Sequence, residues 1–238
     1  MVLLSIFIPA VGFGMTDIPD RTSSCDAQPI QKTDTTVSVE KLISESSQIL
    51  LVRNMNPASV DVQVIVLEKK NGRWQILFDP MNGVIGRNGF APPGEKREGD
   101  GRTPSGTFSL GVVFGYAPAV STKMPYRQAT DDDLWVDDVH ADDYNQWVKR
   151  SATKASSFET MRRIDDLYKF GIVVEYNTNP VVKGYGSAIF VHIWQGKGLS
   201  TSGCIALPEE DILKILQWLN PAAKPLIVMG TNVTVGEF

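Results

Sequence analysis

The chain is poor in the residues that most often announce chemistry. Its 238 residues hold only two cysteines, Cys25 and Cys204, and two histidines, His140 and His192. Two cysteines make no disulfide framework, and two histidines complete no zinc pattern, so no structural metal or other cofactor is expected. A single Cys25–Cys204 bridge is disfavoured, because Cys25 lies in a polar stretch without periodicity. Positive charge does not predominate either, with 23 Lys+Arg against 27 Asp+Glu. A net charge of −4 with no dense basic cluster argues against a nucleic-acid binder. Phosphate loops are missing too: the glycine-rich tract from Gly83 to Gly115 holds neither G-x-x-x-x-G-K-[ST] nor G-x-G-x-x-G after a strand.

Long apolar runs are also missing. The start "MVLLSIFIPAVGFGM" carries no charge through Met15 but is too short to span a bilayer. It resembles the apolar core of a secretory signal without the usual positive first segment. A buried N-terminal strand is the alternative. "RTSSC" lacks the small apolar residues that precede a lipidated cysteine. The expectation is an exported chain, in the periplasm or cell envelope, with no stable membrane span in the mature protein.

What is present is an ordinary globular composition, 42% hydrophobic and 21% charged, sufficient for one domain behind a tail. Residues 16–36 are polar and turn-rich and read as a linker. "SVEKLISESS" suits a short helix, and "QILLVR" an apolar strand. Two β-rich runs flank Asn71-Gly72, a dipeptide favoured where a hairpin turn needs positive φ. "DDDLWVDD", from 131 to 138, reads as a solvated acidic loop without calcium-loop spacing. "SSFETMRRIDDLYKFG" reads as a helix, with a Ser156/Glu159 capping box, an apolar stripe of Phe158, Met161, Ile164 and Tyr168, and a stop at Gly171. "IVVEYN", "SAIFVHIW" and "PLIVMG" read as strands. Pro208 and the acids Glu209, Glu210 and Asp211 open a helix that Asn220-Pro221 stops. The fold class is mainly β with peripheral helices (α+β).

Against this background "SGCIAL", residues 202–207, stands out. A thiol attacks carbonyls as thiolate and needs a neighbour that takes its proton. His192, near the end of a strand, is suited to that task, provided the loop "QGKGLSTSG" folds back to bring Cys204 beside it. Ser202-Gly203 permits a tight turn whose backbone N–H groups face a developing oxyanion. A small buried core cysteine fits the same spacing equally well.

Two motifs together resemble the L,D-transpeptidase catalytic domain (YkuD) family. They are His192 followed by "TSGCIAL", and the upstream "DGRTPSGTF" at 100–108, in the family's order. The likeness spans roughly residues 45–230. Where many members carry His before Gly-Cys, this chain has Ser202; where many carry Arg after the Cys, it has Ala206. The His-to-Cys interval is also shorter, and some branches share the GC-x-A form.

The resemblance implies an L,D-transpeptidase-like β-sandwich over 37–238, behind a signal-like segment and linker at 1–36. It implies an exported acyl-transferase whose donor and acceptor are peptidoglycan stem peptides, with no cofactor and no metal. Cys204 is then the nucleophile and His192 the general base and proton donor, with backbone Gly203 and Cys204 as the oxyanion hole. Terminal D-Ala leaves, a thioester forms, and an amine resolves it into a cross-link. The alternatives are an L,D-carboxypeptidase, with water as acceptor, and a non-catalytic wall-binding module. Candidate substrate contacts are Ser202, Arg102, Tyr185 and Trp194. His140 reads as an exposed loop histidine. Trp135, Tyr144, Asn145 and Trp147 offer a lid over the cleft.

Overall fold

The computed structural model describes residues 33–233. The signal-like start, Cys25 and most of the polar linker lie outside the described residues. The first element is α1 (Thr33–Glu45), which begins inside the stretch read as linker. Strands β1 (Gln48–Asn54), β2 (Asp61–Lys70), β3 (Arg73–Ile76), β4 (Met81–Val84), β5 (Phe90–Ala91) and β6 (Thr103–Pro104) follow. Next come β7 (Gly106–Gly115), β8 (Tyr126–Gln128), β9 (Asp133–Val136), β10 (Trp147–Lys149) and β11 (Phe158–Thr160). The chain continues with β12 (Phe170–Val174), β13 (Phe190–Ile193), β14 (Ile205–Leu207), α2 (Glu209–Trp218) and β15 (Leu226–Thr231). The β2–β3 hairpin turns at Asn71-Gly72 with φ of +53° and +76°, as the dipeptide demands.

Ten strands form one sheet in the order β1-β15-β7-β12-β13-β14-β4-β2-β3, with β8 attached to β7. Because β1 also pairs with β2, eight of them close into a ring. Side chains alternate across its wall with period two. Leu50, Val64, Val113, Ile172, Val191, Ile205 and Ile227 point into the main core, which α2 joins through Ile212, Ile215 and Leu216. The acids of the first turn of α2 face its positive N-terminal end. Ile49, Leu51, Ile65, Leu67 and Val228 point the other way and form a second core, packed against Ile43 of α1 and Trp74.

On β7, β12 and β13 the outward positions are Phe114, Val173 and Phe190, and these carry a third core with Trp135, Met161 and Tyr168. Trp135 belongs to a three-stranded sheet, β10-β9-β11, laid over that wall. The expected mainly β fold with peripheral helices is therefore present, and the layering arises where this small sheet covers one side of the ring.

Two expectations fail here. The acidic loop is instead β9, the buried central strand of the small sheet. Asp133 has no exposure, and its carboxylate takes hydrogen bonds from Thr130, Trp147, Arg127 and Lys149. Asp131 does remain at the surface. The helix expected over 156–171 is absent. Ser156 bonds to the Asp138 carboxylate rather than capping a turn, and Phe158–Thr160 pairs with β9 as β11. Ile164, assigned to the apolar stripe, is fully exposed. Gly171, the supposed helix stop, lies within β12 between Phe114 and His192, where a Cβ would come within 2.2 Å of the Phe114 ring.

Candidate active site

Alternation along β13 puts Val191 inward and Phe190 and His192 outward, on the side of the small sheet. β14 runs parallel to β13 with His192 beside Ala206. Period two then places Cys204 on the same outer side, two positions from Ala206. Both groups line one cleft of about 470 Å³.

The loop between them does fold back. Thr201 N–H bonds to Ile85 O at 2.9 Å and Arg87 N–H to Thr201 O at 2.9 Å, a parallel bridge that ties the loop to the Gly86 segment. The two sequence motifs meet at this point. Buried Thr103, from "DGRTPSGTF", donates through Oγ1 to Gly203 O at 2.8 Å and accepts from Gly86 N at 3.0 Å. Thr201 Oγ1 donates to Cys204 O at 2.7 Å. Gly203 has φ +153°, and a Cβ there would lie 3.0 Å from Arg102 O, so the turn admits only glycine.

The thiol is buried. Cys204 Sγ donates to Ala188 O at 3.2 Å and accepts from Phe190 N at 3.4 Å. Burial pushes its pKa up to about 12, and Glu159 adds to the effect. His192 is buried as well, with its ring edge against Tyr168 at 5.1 Å between centroids. Burial lowers its pKa to about 4, so the imidazole is neutral at pH 7. His192 Nδ1 lies 2.8 Å from Ile193 O. A carbonyl only accepts, so Nδ1 carries the proton and Nε2 is left as the base.

The resting pair is thus neutral thiol and neutral imidazole. A thiol near 12 is roughly one part in 10⁵ thiolate at pH 7. Alkylation of Cys204 by iodoacetamide is expected to be slow at pH 7 and to climb about tenfold per pH unit up to pH 10. A plateau below pH 9, followed by mass spectrometry, would show a preformed ion pair instead.

The remaining wall is charged. Arg87, Lys96 and Arg163 face the cleft together with Glu98, Asp137 and Glu159. Lys96 is committed to Asp100 at 2.7 Å, and Arg163 to Asp165 at 2.7 Å. Glu98 accepts from Tyr144 and Ser187 hydroxyls. Burial raises the carboxyl pKa values of Asp137 and Glu159, and Glu98 adds to both. Asp137 Oδ1 is buried without a hydrogen-bond partner among the described residues. Among the described residues no group of acids, cysteines and histidines is arranged to hold a metal ion.

Of the candidate substrate contacts only Ser202 lines this cleft. Arg102 is set in a turn by its N–H to Asp100 and offers its backbone carbonyl to Gly203. Tyr185 lies under the Arg97 guanidinium, 4.1 Å from its ring centroid, away from the cleft. Trp194 lies outside it too, tied through its N–H to Leu207 O. Gly203 N–H is directed at Thr201 Oγ1, 3.1 Å away, rather than into the cleft. The aromatic lid is not a lid. Trp135, Tyr144 and Asn145 are buried, with Asn145 Oδ1 accepting from Trp135 Nε1 and Ala188 N. Asn145 thereby holds the Ala188 N–H, in the residue whose carbonyl accepts from the thiol. His140 is exposed, as expected.

A family model for the L,D-transpeptidase catalytic domain, YkuD, matches residues 63–235. The fold also resembles the crystal structure of the helical cell shape determining protein Pgp2 from Campylobacter jejuni, at 16% identity and a TM-score of 0.41. That match covers 84% of this chain and 56% of the other. A mutant of the same protein matches at 17% identity and a TM-score of 0.40, over 79% of this chain and 48% of the other. The chain spans about half the length of these structures. No curated protein matches the sequence.

Proposed function

The chain belongs to the L,D-transpeptidase catalytic domain family, and from that premise we propose that it is a cysteine acyl-transferase acting on peptidoglycan stem peptides. The observation that carries the proposal is the shared cleft of Cys204 and His192, with Nδ1 protonated against Ile193 O and Nε2 left free to accept a proton.

In this reading the S–H turns from Ala188 O to His192 Nε2 as substrate fills the cleft. Proton transfer from a thiol near 12 to an imidazole near 4 is uphill at rest. It is coupled to attack, in which sulfur bonds to the carbonyl carbon at the L-centre of the diamino acid. The oxyanion is met by Cys204 N–H. Collapse breaks the C–N bond, and the D-Ala amine leaves with the proton held on Nε2. An acceptor amine then gives its proton to Nε2 and attacks the thioester; the C–S bond breaks and the proton passes from Nε2 to sulfur, restoring the thiol.

These substrates lie outside the cytoplasm, so the proposal entails an exported chain acting in the periplasm or cell envelope. The catalytic unit is the described domain, within 37–238. Among the described residues no helix is long and apolar enough to cross a membrane.

Incubation with purified disaccharide-tetrapeptide, read by mass spectrometry, is expected to give cross-linked dimer and free D-Ala. Tripeptide alone would move the assignment to carboxypeptidase action with water as acceptor. Unchanged substrate would overturn both.

A further inference from the structure

The family resemblance leaves one charge missing, because Ala206 stands where many relatives carry arginine after the cysteine. We propose that Arg87 supplies it, as the residue that binds the terminal carboxylate of the departing D-amino acid. The inference rests on the proposed reaction and deepens it.

Arg87 comes from a segment far from the motif in sequence, yet it is fastened to the nucleophile turn. Gly86 bridges to Thr201, and Arg87 N–H bonds to Thr201 O. The side chain lies flat over Gly101, where a Cβ would come 2.8 Å from the guanidinium carbon. From there it reaches Ser202 Oγ at 3.5 Å, the residue two before the nucleophile, and it lines the cleft with Gly203 and Cys204.

The other cations of the cleft are occupied internally: Lys96 by Asp100 and Arg163 by Asp165. Arg87 has no carboxylate partner among the described residues. An unpaired guanidinium next to an acyl-forming thiol suits an anion that lies beyond the scissile bond, and its planar fork matches a carboxylate in two-point contact. In a tetrapeptide that loses its last residue, the anion beyond the scissile bond is the C-terminal carboxylate. Ser202, where many relatives have histidine, leaves room for the guanidinium to approach.

The experiment compares a stem tetrapeptide ending in free D-Ala with the same peptide ending in D-alaninamide. Release of D-Ala or D-alaninamide is measured with the full chain and with Arg87→Gln. The unaltered protein is expected to favour the acid by about tenfold to a hundredfold in kcat/KM. Arg87→Gln is expected to bring that ratio close to one, and Arg87→Lys to keep part of it. Both peptides are read on one preparation, so the ratio does not depend on how much of a variant is folded. An unaltered protein that does not discriminate, or an Arg87→Gln protein that keeps the full preference, overturns the assignment while leaving the reaction standing. Release from neither peptide overturns the reaction and the role of Arg87 with it.

Discussion

Cys204→Ala is expected to abolish release of D-Ala and to remove the mass gained when the protein is incubated with a carbapenem. Alanine leaves no nucleophile, and nothing else in the cleft carries a second thiol, since Cys204 is the only cysteine among the described residues. The fold should persist: the loss is one sulfur at the edge of the core formed by Phe114, Trp135 and Phe190. His192→Ala tests the second half of the pair. A thiol held near 12 by burial cannot supply thiolate unaided at pH 7, so turnover is expected to fall by about 10²–10⁴. The residual rate should rise with pH, as hydroxide takes over the proton. Full turnover in His192→Ala at neutral pH, or a carbapenem adduct on Cys204→Ala, would remove the respective residue from the mechanism.

The second large effect concerns stability. Asp133→Ala is expected to cost about 3–5 kcal/mol, because it strips a buried carboxylate from the charges and donors arranged around it. Burial favours the protonated acid, but hydrogen bonds from Thr130, Lys149 and Trp147 outweigh it and hold the carboxyl far below its usual range. The sign follows from that depression. The ionised form stabilises the fold above the unfolded carboxyl range, and the contribution is lost as pH falls toward the folded value. Urea unfolding at pH 7 should show the midpoint drop, and the gap between variant and parent should narrow in acid. An unfolding free energy within about 0.5 kcal/mol of the parent would sink this account of the small sheet.

Much of this could be read in the residues, and the failures share one cause. Asn71-Gly72 and the acids after Pro208 are local signals, and both produced the expected elements. His192 and Cys204 stood out because so few residues of their kind compete with them. The stretch 156–171 misled because its apolar residues recur at helical spacing, while pairing with β9 decides its structure. Asp133 read as solvated because its counter-charges, Arg127 and Lys149, meet it only in the folded sheet. Arg102, a candidate substrate contact, does not line the cleft. The motif it belongs to holds the nucleophile turn through Thr103, and the guanidinium that reaches Ser202 is that of Arg87, across 115 positions of chain. No spacing rule shows such a contact.

The strand ring has a consequence for when the molecule can form. β1 is flanked by β2 on one side and by β15 on the other, running parallel to it. Its first neighbour arrives almost at once, and its second only with residues 226–231. The ring stays open until nearly the whole domain has emerged, and the core that α2 enters stays open with it. Assembly is therefore governed by the most distant pairing in the chain, which makes it slow and late. Cutting the chain before Leu226 would leave β1 and β7 each with a bare edge, and association through those edges, rather than simple loss of activity, is the expected outcome.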